Sequence, residues 1–179
     1  DRGPRLIEIN TNAGGGILNA MLAQAQRACC AEMADSPLLP SPQAFETDLI
    51  EMFEAEWRLQ RGDQPLGRIA IVDDHPQTQY LYPEFLLAQK MFRRSGIDAI
   101  IAGPQELELS NGALILEGNP IDLVYNRLVD FAFEQPEYAI IGQAYEVGIA
   151  VVTPNPHNHA LLADKRNLTI FSDTEMLED

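Results

Sequence analysis

From Arg68 onward, short apolar runs alternate with amphipathic segments, and this alternation limits the fold more than any single motif does. The runs at 68–73 (RIAIVD), 98–102, 121–125 and 148–153 are nearly continuous in apolar residues, as expected of strands buried on both faces. Between the first two, residues 82–95 have helical spacing, with Arg93 and Arg94 in the last turn and Gly96 just beyond. Residues 107–110 and 113–117 alternate around Asn111-Gly112, which predicts a hairpin. Residues 136–147 predict a further helix, and another starts near His159 and runs to about 168. The order strand, helix, strand, hairpin, strand, helix, strand predicts an α/β fold: a three-layer parallel sheet with helices on both faces.

Upstream, LIEINTN at 6–12 alternates like a strand and runs into Gly14, Gly15 and Gly16, after which residues 17–34 predict a helix. SPLLPSP at 36–42 breaks the pattern. Ser41 and Pro42 then open a helix carrying Phe45, Leu49, Met52, Phe53 and Trp57 on one face, and Gly62 ends it. Its other face is acidic, with Glu46, Asp48, Glu51, Glu54 and Glu56, so it reads as a core-packed lid or a dimer contact and not as a membrane helix. Three units are expected: 1–35, a helical insertion at 36–66, and the α/β domain at 67–179.

The 179 residues suffice for one domain with a sizeable core. Net charge is −15, from 27 acids against 12 bases, which argues against a nucleic-acid partner because phosphate neutralisation needs a basic face. No apolar stretch reaches the length of a membrane span, and no signal-peptide pattern opens the chain. The adjacent Cys29 and Cys30 are poor disulfide partners, so a reducing, cytoplasmic setting fits. A start at Asp1 directly before a strand reads as a fragment or a processed product.

In parallel α/β sheets, ligands sit beyond the carboxyl ends of the strands. Those ends carry Asn10, Thr11, Asn12 and the glycines; Asp73, Asp74, His75, Gln77 and Gln79; Asn126 and Arg127; and Pro154, Asn155, Pro156 and His157. Glu8 and Asn10, two apart on a strand, would point the same way and offer a carboxylate and an amide oxygen to one Mg²⁺; a half-exposed polar face is the other meaning. The glycines would let backbone approach a ligand and leave amides free for an anion before a helix N-terminus, or they are a flexible turn. Arg127 either holds a substrate carboxylate in a two-pronged grip or pairs with Asp130 or Glu134. Lys165, beside Arg166, suits a nucleotide phosphate or a solvated face. No Ser-His-Asp or Cys-His arrangement supplies a covalent nucleophile.

Taken together, LIEINTNAGGG, IAIVDDHPQTQ, the following helix and Gly-Ile, the hairpin, LVYNR and PNPHNHALLADK resemble, in that order, segments of eukaryotic-type glutathione synthetase, in the circularly permuted branch of the ATP-grasp ligases. The resemblance implies a pre-ATP-grasp, Rossmann-like domain preceded by a strand and helix from the ATP-grasp half. It implies an ATP-dependent carboxylate–amine ligase that joins a small-molecule acid and amine through an acyl phosphate, using ATP and Mg²⁺. Glu8 and Asn10 would be magnesium ligands, Gly14 and Gly15 would offer amides near the acyl phosphate, and Arg127 would hold a carboxylate. Asn12, Asp73 or Asp74, Gln77 or Gln79, and Asn126 would contact substrate, and Lys165 would face the nucleotide. Where the family has serines after the Thr, Asn12 and Ala13 stand, so the substrate need not be a γ-glutamyl peptide. A fragment lacking the rest of the ATP-grasp half would be inactive alone. A non-catalytic α/β module that binds an anionic metabolite is the alternative.

Overall fold

A computed structural model describes residues 6–29 and 41–172 of the chain. Its centre is a four-stranded, all-parallel sheet in the order β2-β1-β6-β7, formed by β1 (Arg68–Val72), β2 (Asp98–Ala102), β6 (Leu123–Asn126) and β7 (Val151–Thr153). Val72 is in register with Ala102 on one side and Asn126 on the other. The central strands are apolar on both faces because both faces are covered: Ile69, Ala70, Ile71 and Val72 are all fully buried.

One face carries three helices, α1 (Gly16–Cys29), α2 (Pro42–Arg61) and α3 (Tyr82–Arg94). They bury Ile17, Phe53, Trp57, Phe85, Met91 and Phe92 against Ile69, Ile71, Leu123 and Val151. Phe53 is the hub, edge-on to Phe92 at 5.0 Å and to Tyr125 at 4.8 Å between ring centroids. The N-terminus of α2 forms as its sequence predicts, with Ser41 Oγ accepting from the Ala44 N–H at 3.0 Å and Pro42 in the first turn.

The other face is covered by α4 (Ala139–Glu146) and an antiparallel sheet of β3 (Glu108–Ser110), β4 (Ala113–Leu116) and β5 (Asn119–Ile121). Leu114, Leu116, Ile141 and Ala144 fill that side. The Asn111-Gly112 turn has φ of 51° and 75°, the positive pair that a two-residue hairpin of this twist needs. Glu117-Gly118 repeats the device at 50° and 75° and adds β5, a strand the spacing did not announce. The run expected as one strand at 121–125 is therefore split. Ile121 belongs to the antiparallel sheet and Leu123 begins the parallel one. Asp122 stands between them, its carboxylate accepting from the N–H groups of Gly67 at 2.9 Å and Arg68 at 2.8 Å.

Three other expectations shift. Residues 6–10 form no strand, because no strand among the described residues lies beside them to complete a ladder. The Asn10 side chain instead accepts from the Asn12 N–H at 3.1 Å and turns the chain. The helix expected at 136–147 begins as a 3₁₀ turn, Pro136–Tyr138, before α4. The last helix, α5 (Pro156–Leu162), starts earlier than predicted because Asn155 caps it, its Oδ1 accepting from the Asn158 N–H at 2.9 Å. A separate 3₁₀ stretch, Lys165–Ser172, follows. Of the helix expected at 17–34, the part past Cys29 lies outside the described residues, as does most of the breaker at 36–42 and Cys30. Among the described residues, no helix is long and apolar enough to cross a membrane.

Candidate functional site

The chain passes from β1 to β2 on one side and later reaches β6 on the other side of β1. The order of the sheet therefore reverses between β1 and β6, and a crevice opens at their carboxyl ends. Arg127 follows β6 directly. Its N–H donates to Val72 O at 2.8 Å, so its backbone is fixed by the end of β1.

The guanidinium is half-buried and turned toward the segment that precedes α1. Nη1 donates to Asn12 Oδ1 and, at 3.1 Å, to the carbonyl of Ala13. The guanidinium carbon lies 5.4 Å from the centre of the Tyr125 ring, two residues earlier on the same strand face. These acceptors are neutral. Neither Asp130 nor Glu134 pairs with Arg127, and among the described residues it forms no salt bridge. Asp130 is spent locally, accepting from the N–H groups of Ala132 at 3.2 Å and Gln135 at 2.9 Å. A guanidinium held by neutral acceptors keeps its charge available to an anion.

Arg127 opens into a cavity of about 510 Å³. Asn10, Asn12, Gly14, Tyr125 and Asn158 line it together with Arg127, and Ile17, Phe45, Leu49, Met52 and Phe53 supply apolar lining. Gly14 is needed for closeness: a Cβ there would stand 2.6 Å from Leu81 Cδ1 and 2.9 Å from Arg127 Nη2. Gly15, with φ of 85°, turns the chain into α1. Asn12 also donates through Nδ2 to Leu128 O at 3.2 Å, and Thr11 Oγ1 lies 2.8 Å from His159 Nδ1. The His159 ring stacks on Phe131 at 3.8 Å. Residues distant in sequence thus hold the 10–14 segment over the strand ends.

Glu84, in the first turn of α3, is a buried acid in the same wall. Its Oε1 accepts from the Ile17 N–H at 3.3 Å, capping α1 from outside, while Oε2 is buried without a hydrogen-bond partner among the described residues. Burial holds the Tyr125 phenol above its usual range, opposed by the Arg127 charge and reinforced by Glu84. The phenol therefore stays protonated.

The remaining sequence candidates fall outside the cavity lining. Asp73 is half-buried beyond β1; burial raises its carboxyl above the usual range, against the Asp74 N–H and the Arg127 charge, which lower it. Its Oδ1 accepts from the Asp74 N–H at 2.8 Å. Gln79 donates to Asp74 O at 2.5 Å, and Gln77 is exposed in a 3₁₀ turn, Pro76–Thr78. Asn126 is buried, with Nδ2 donating to Pro154 O at 3.3 Å and Oδ1 accepting from the Leu128 N–H at 3.0 Å, so its amide is used inside the protein. Glu8 and Lys165 meet at the surface, Nζ to Oε2 at 3.0 Å. Sequence reasoning missed Tyr125, Glu84 and the α2 wall. The period of two from Arg127 pointed to Tyr125; nothing local marked Glu84.

No family model matches the chain, and no curated protein matches it. Among solved structures, it is similar to a glutathione synthetase-like effector (GSS30) from Globodera pallida in apo form, with a TM-score of 0.66 and 20% identity. The match covers 96% of this chain and 41% of that one, so the chain spans less than half of the effector's length. The fold is thus that of a glutathione synthetase-like protein: a parallel sheet of four strands flanked by helices, with an added antiparallel sheet.

Proposed function

We propose that the chain carries the acid-binding side of an ATP-dependent carboxylate–amine ligase of the glutathione synthetase type. The observation that carries this reading is Arg127, a half-buried guanidinium that forms no salt bridge among the described residues, placed where the sheet order reverses and facing a cavity. In this role Arg127 takes the substrate carboxylate, and Asn12 holds the guanidinium in place. Gly14 and Gly15 bring backbone close to the reacting carboxyl. Tyr125, a protonated phenol beside Arg127, helps fix the acid's orientation. Asp73, Asp74, Gln77 and Gln79 lie beyond the neighbouring strand, where a polar end of a larger substrate or the incoming amine would pass; Asn126 supports the strand end from inside.

Phosphoryl transfer needs positioning and charge neutralisation more than a protein nucleophile. ATP with Mg²⁺ would supply the phosphoryl group and neutralise its charge. Glu8 offers an exposed carboxylate and Asn10 an amide oxygen, while among the described residues no group of three His, Cys, Asp or Glu is placed to hold a metal by itself. A carboxylate and an amide oxygen suit, by type, a magnesium ion that brings its own phosphate and water ligands; with no strand at 6–10 to align them, the two side chains would have to converge on the ion. Lys165, now paired with Glu8, would turn to a nucleotide phosphate.

The test is ADP release by the intact gene product with Mg²⁺, ATP and a panel of acids paired with amines, repeated with Arg127→Gln. Acid-dependent ADP release that falls by about a hundredfold in the variant supports the ligase, that being the scale of a lost charge-assisted contact. Absence of ADP release with every pair, together with Arg127-dependent binding of an anion, would overturn it in favour of a non-catalytic binding module.

A further inference from the structure

The cavity is mixed in chemistry. Arg127, Glu84 and the amides of Asn10, Asn12, Asn19 and Asn158 share its lining with an apolar run from α2, Phe45, Leu49, Met52 and Phe53, and with Ile17. Arg127 and Glu84 are the charged residues of the lining; Glu84 caps the first turn of α1 through Oε1, and its Oε2 has no hydrogen-bond partner among the described residues. Met52 remains 49% exposed and Leu162 39% exposed, although both line the cavity. That apolar surface is not used by the core. A small polar acid would leave this apolar lining without a partner. A charged peptide would bring further charged groups against Phe45, Leu49 and Met52, whose side chains offer no hydrogen-bonding group to replace lost water.

We propose that the acid taken by this cavity has an apolar body: an aromatic or branched aliphatic carboxylic acid whose carboxylate meets Arg127 and whose body lies along Phe45, Leu49 and Met52. The cavity's volume of about 510 Å³ accommodates such an acid with room for a second group near Asn10. This inference rests on the carboxylate grip of Arg127 proposed above and names the class of acid gripped. It also assigns α2 a role in selecting substrate, through burial of apolar area.

The experiment follows the methyl resonance of Met52 in the 179-residue chain during titration with 3-phenylpropanoate, 3-phenylpropan-1-ol, glutarate and γ-glutamylglycine. The expected result is that 3-phenylpropanoate binds about tenfold or more tightly than any of the others, since each of them lacks either the desolvated charge or the buried ring. Backbone amide shifts read the same titrations in Met52→Gln, which is half exposed and spares the core. This variant should weaken 3-phenylpropanoate about fivefold more than glutarate, as loss of one apolar contact surface predicts. Arg127→Met should reduce the acid to the level of the alcohol. Glutarate or γ-glutamylglycine binding as tightly as 3-phenylpropanoate, with dependence on Arg127, would overturn the apolar-acid inference and leave the carboxylate grip standing. If no acid binds in an Arg127-dependent way, the grip and the inference fall together.

Discussion

Arg127 and Asn12, 115 positions apart in the chain, are joined by a hydrogen bond from the guanidinium Nη1 to the amide Oδ1. The bond ties the loop before α1 to the end of β6. Through it, the residue positioned to hold an anion also shapes the cavity in which the anion would sit.

Gly14→Ala tests this closeness. The added Cβ would meet Leu81 Cδ1 at 2.6 Å and Arg127 Nη2 at 2.9 Å, so the guanidinium must shift or the loop must lift. Chemical denaturation should show a loss of about 1–3 kcal/mol, the usual cost of overpacking, and acid affinity should fall with it. Gly118→Ala is the control, with φ of 75° and no heavy atom within 4 Å of the new Cβ. Its strain costs about 1 kcal/mol and should leave acid affinity untouched.

Phe53→Ala should be the more damaging core change. The ring is 1% exposed and stands edge-on to both Phe92 and Tyr125. Removing it should cost about 3–5 kcal/mol by thermal or urea unfolding. Because Tyr125 loses its neighbour, its phenol should also titrate closer to the ordinary range, which ultraviolet difference spectra at alkaline pH would reveal.

Asp73 gives a pH signature. Burial is the largest influence on it and raises its folded-state pKa above the unfolded one. The folded chain therefore holds this proton more tightly. The resulting stabilisation is complete below the unfolded pKa and is lost as pH rises through the folded one. Asp73→Asn removes the penalty of the ionised form, so its Tm should exceed that of the parent at neutral pH. The gain should shrink as pH falls through the raised folded-state pKa and vanish below the ordinary aspartate range.

Lys165→Met separates stability from function. The Lys165–Glu8 pair leaves 70% and 53% of the two side chains exposed, so its loss should change unfolding free energy by no more than about 1 kcal/mol. If Lys165 serves a nucleotide phosphate, the KM for ATP in the intact gene product should rise about tenfold or more, the scale of one charge-assisted contact. An unchanged KM would remove Lys165 from the nucleotide site.

Much of the sheet was readable because burial on both faces writes strands as unbroken apolar runs, as in Ile69–Val72. Asn111-Gly112 announced its turn through two residues that accept positive φ, whereas Glu117 adopts φ of 50° without being a residue type that advertises it. The extra strand β5 was hidden for that reason. Residues 6–10 show the converse: alternation is necessary for a strand, but a partner must complete the ladder, and Asn10 found a local turn instead. At the site, Arg127 was legible from its position after a strand end, and Gly14 from the glycine run before a helix. Glu84 was not, since an acid in the first turn of a helix ordinarily faces water. The wall formed by α2 was hidden too, because an apolar helix face does not say which surface it covers.

Trp57, the single tryptophan of the chain, sits near the far end of the same helix whose beginning lines the cavity. Its indole N–H donates to Gln64 O at 2.5 Å, and the Arg61 guanidinium lies 5.7 Å from the ring centre. Phe45 and Trp57 share one uninterrupted helix of 20 residues, about 30 Å long. The indole is thus an optical probe on the element that lines the cavity, and its emission maximum gauges how α2 is seated.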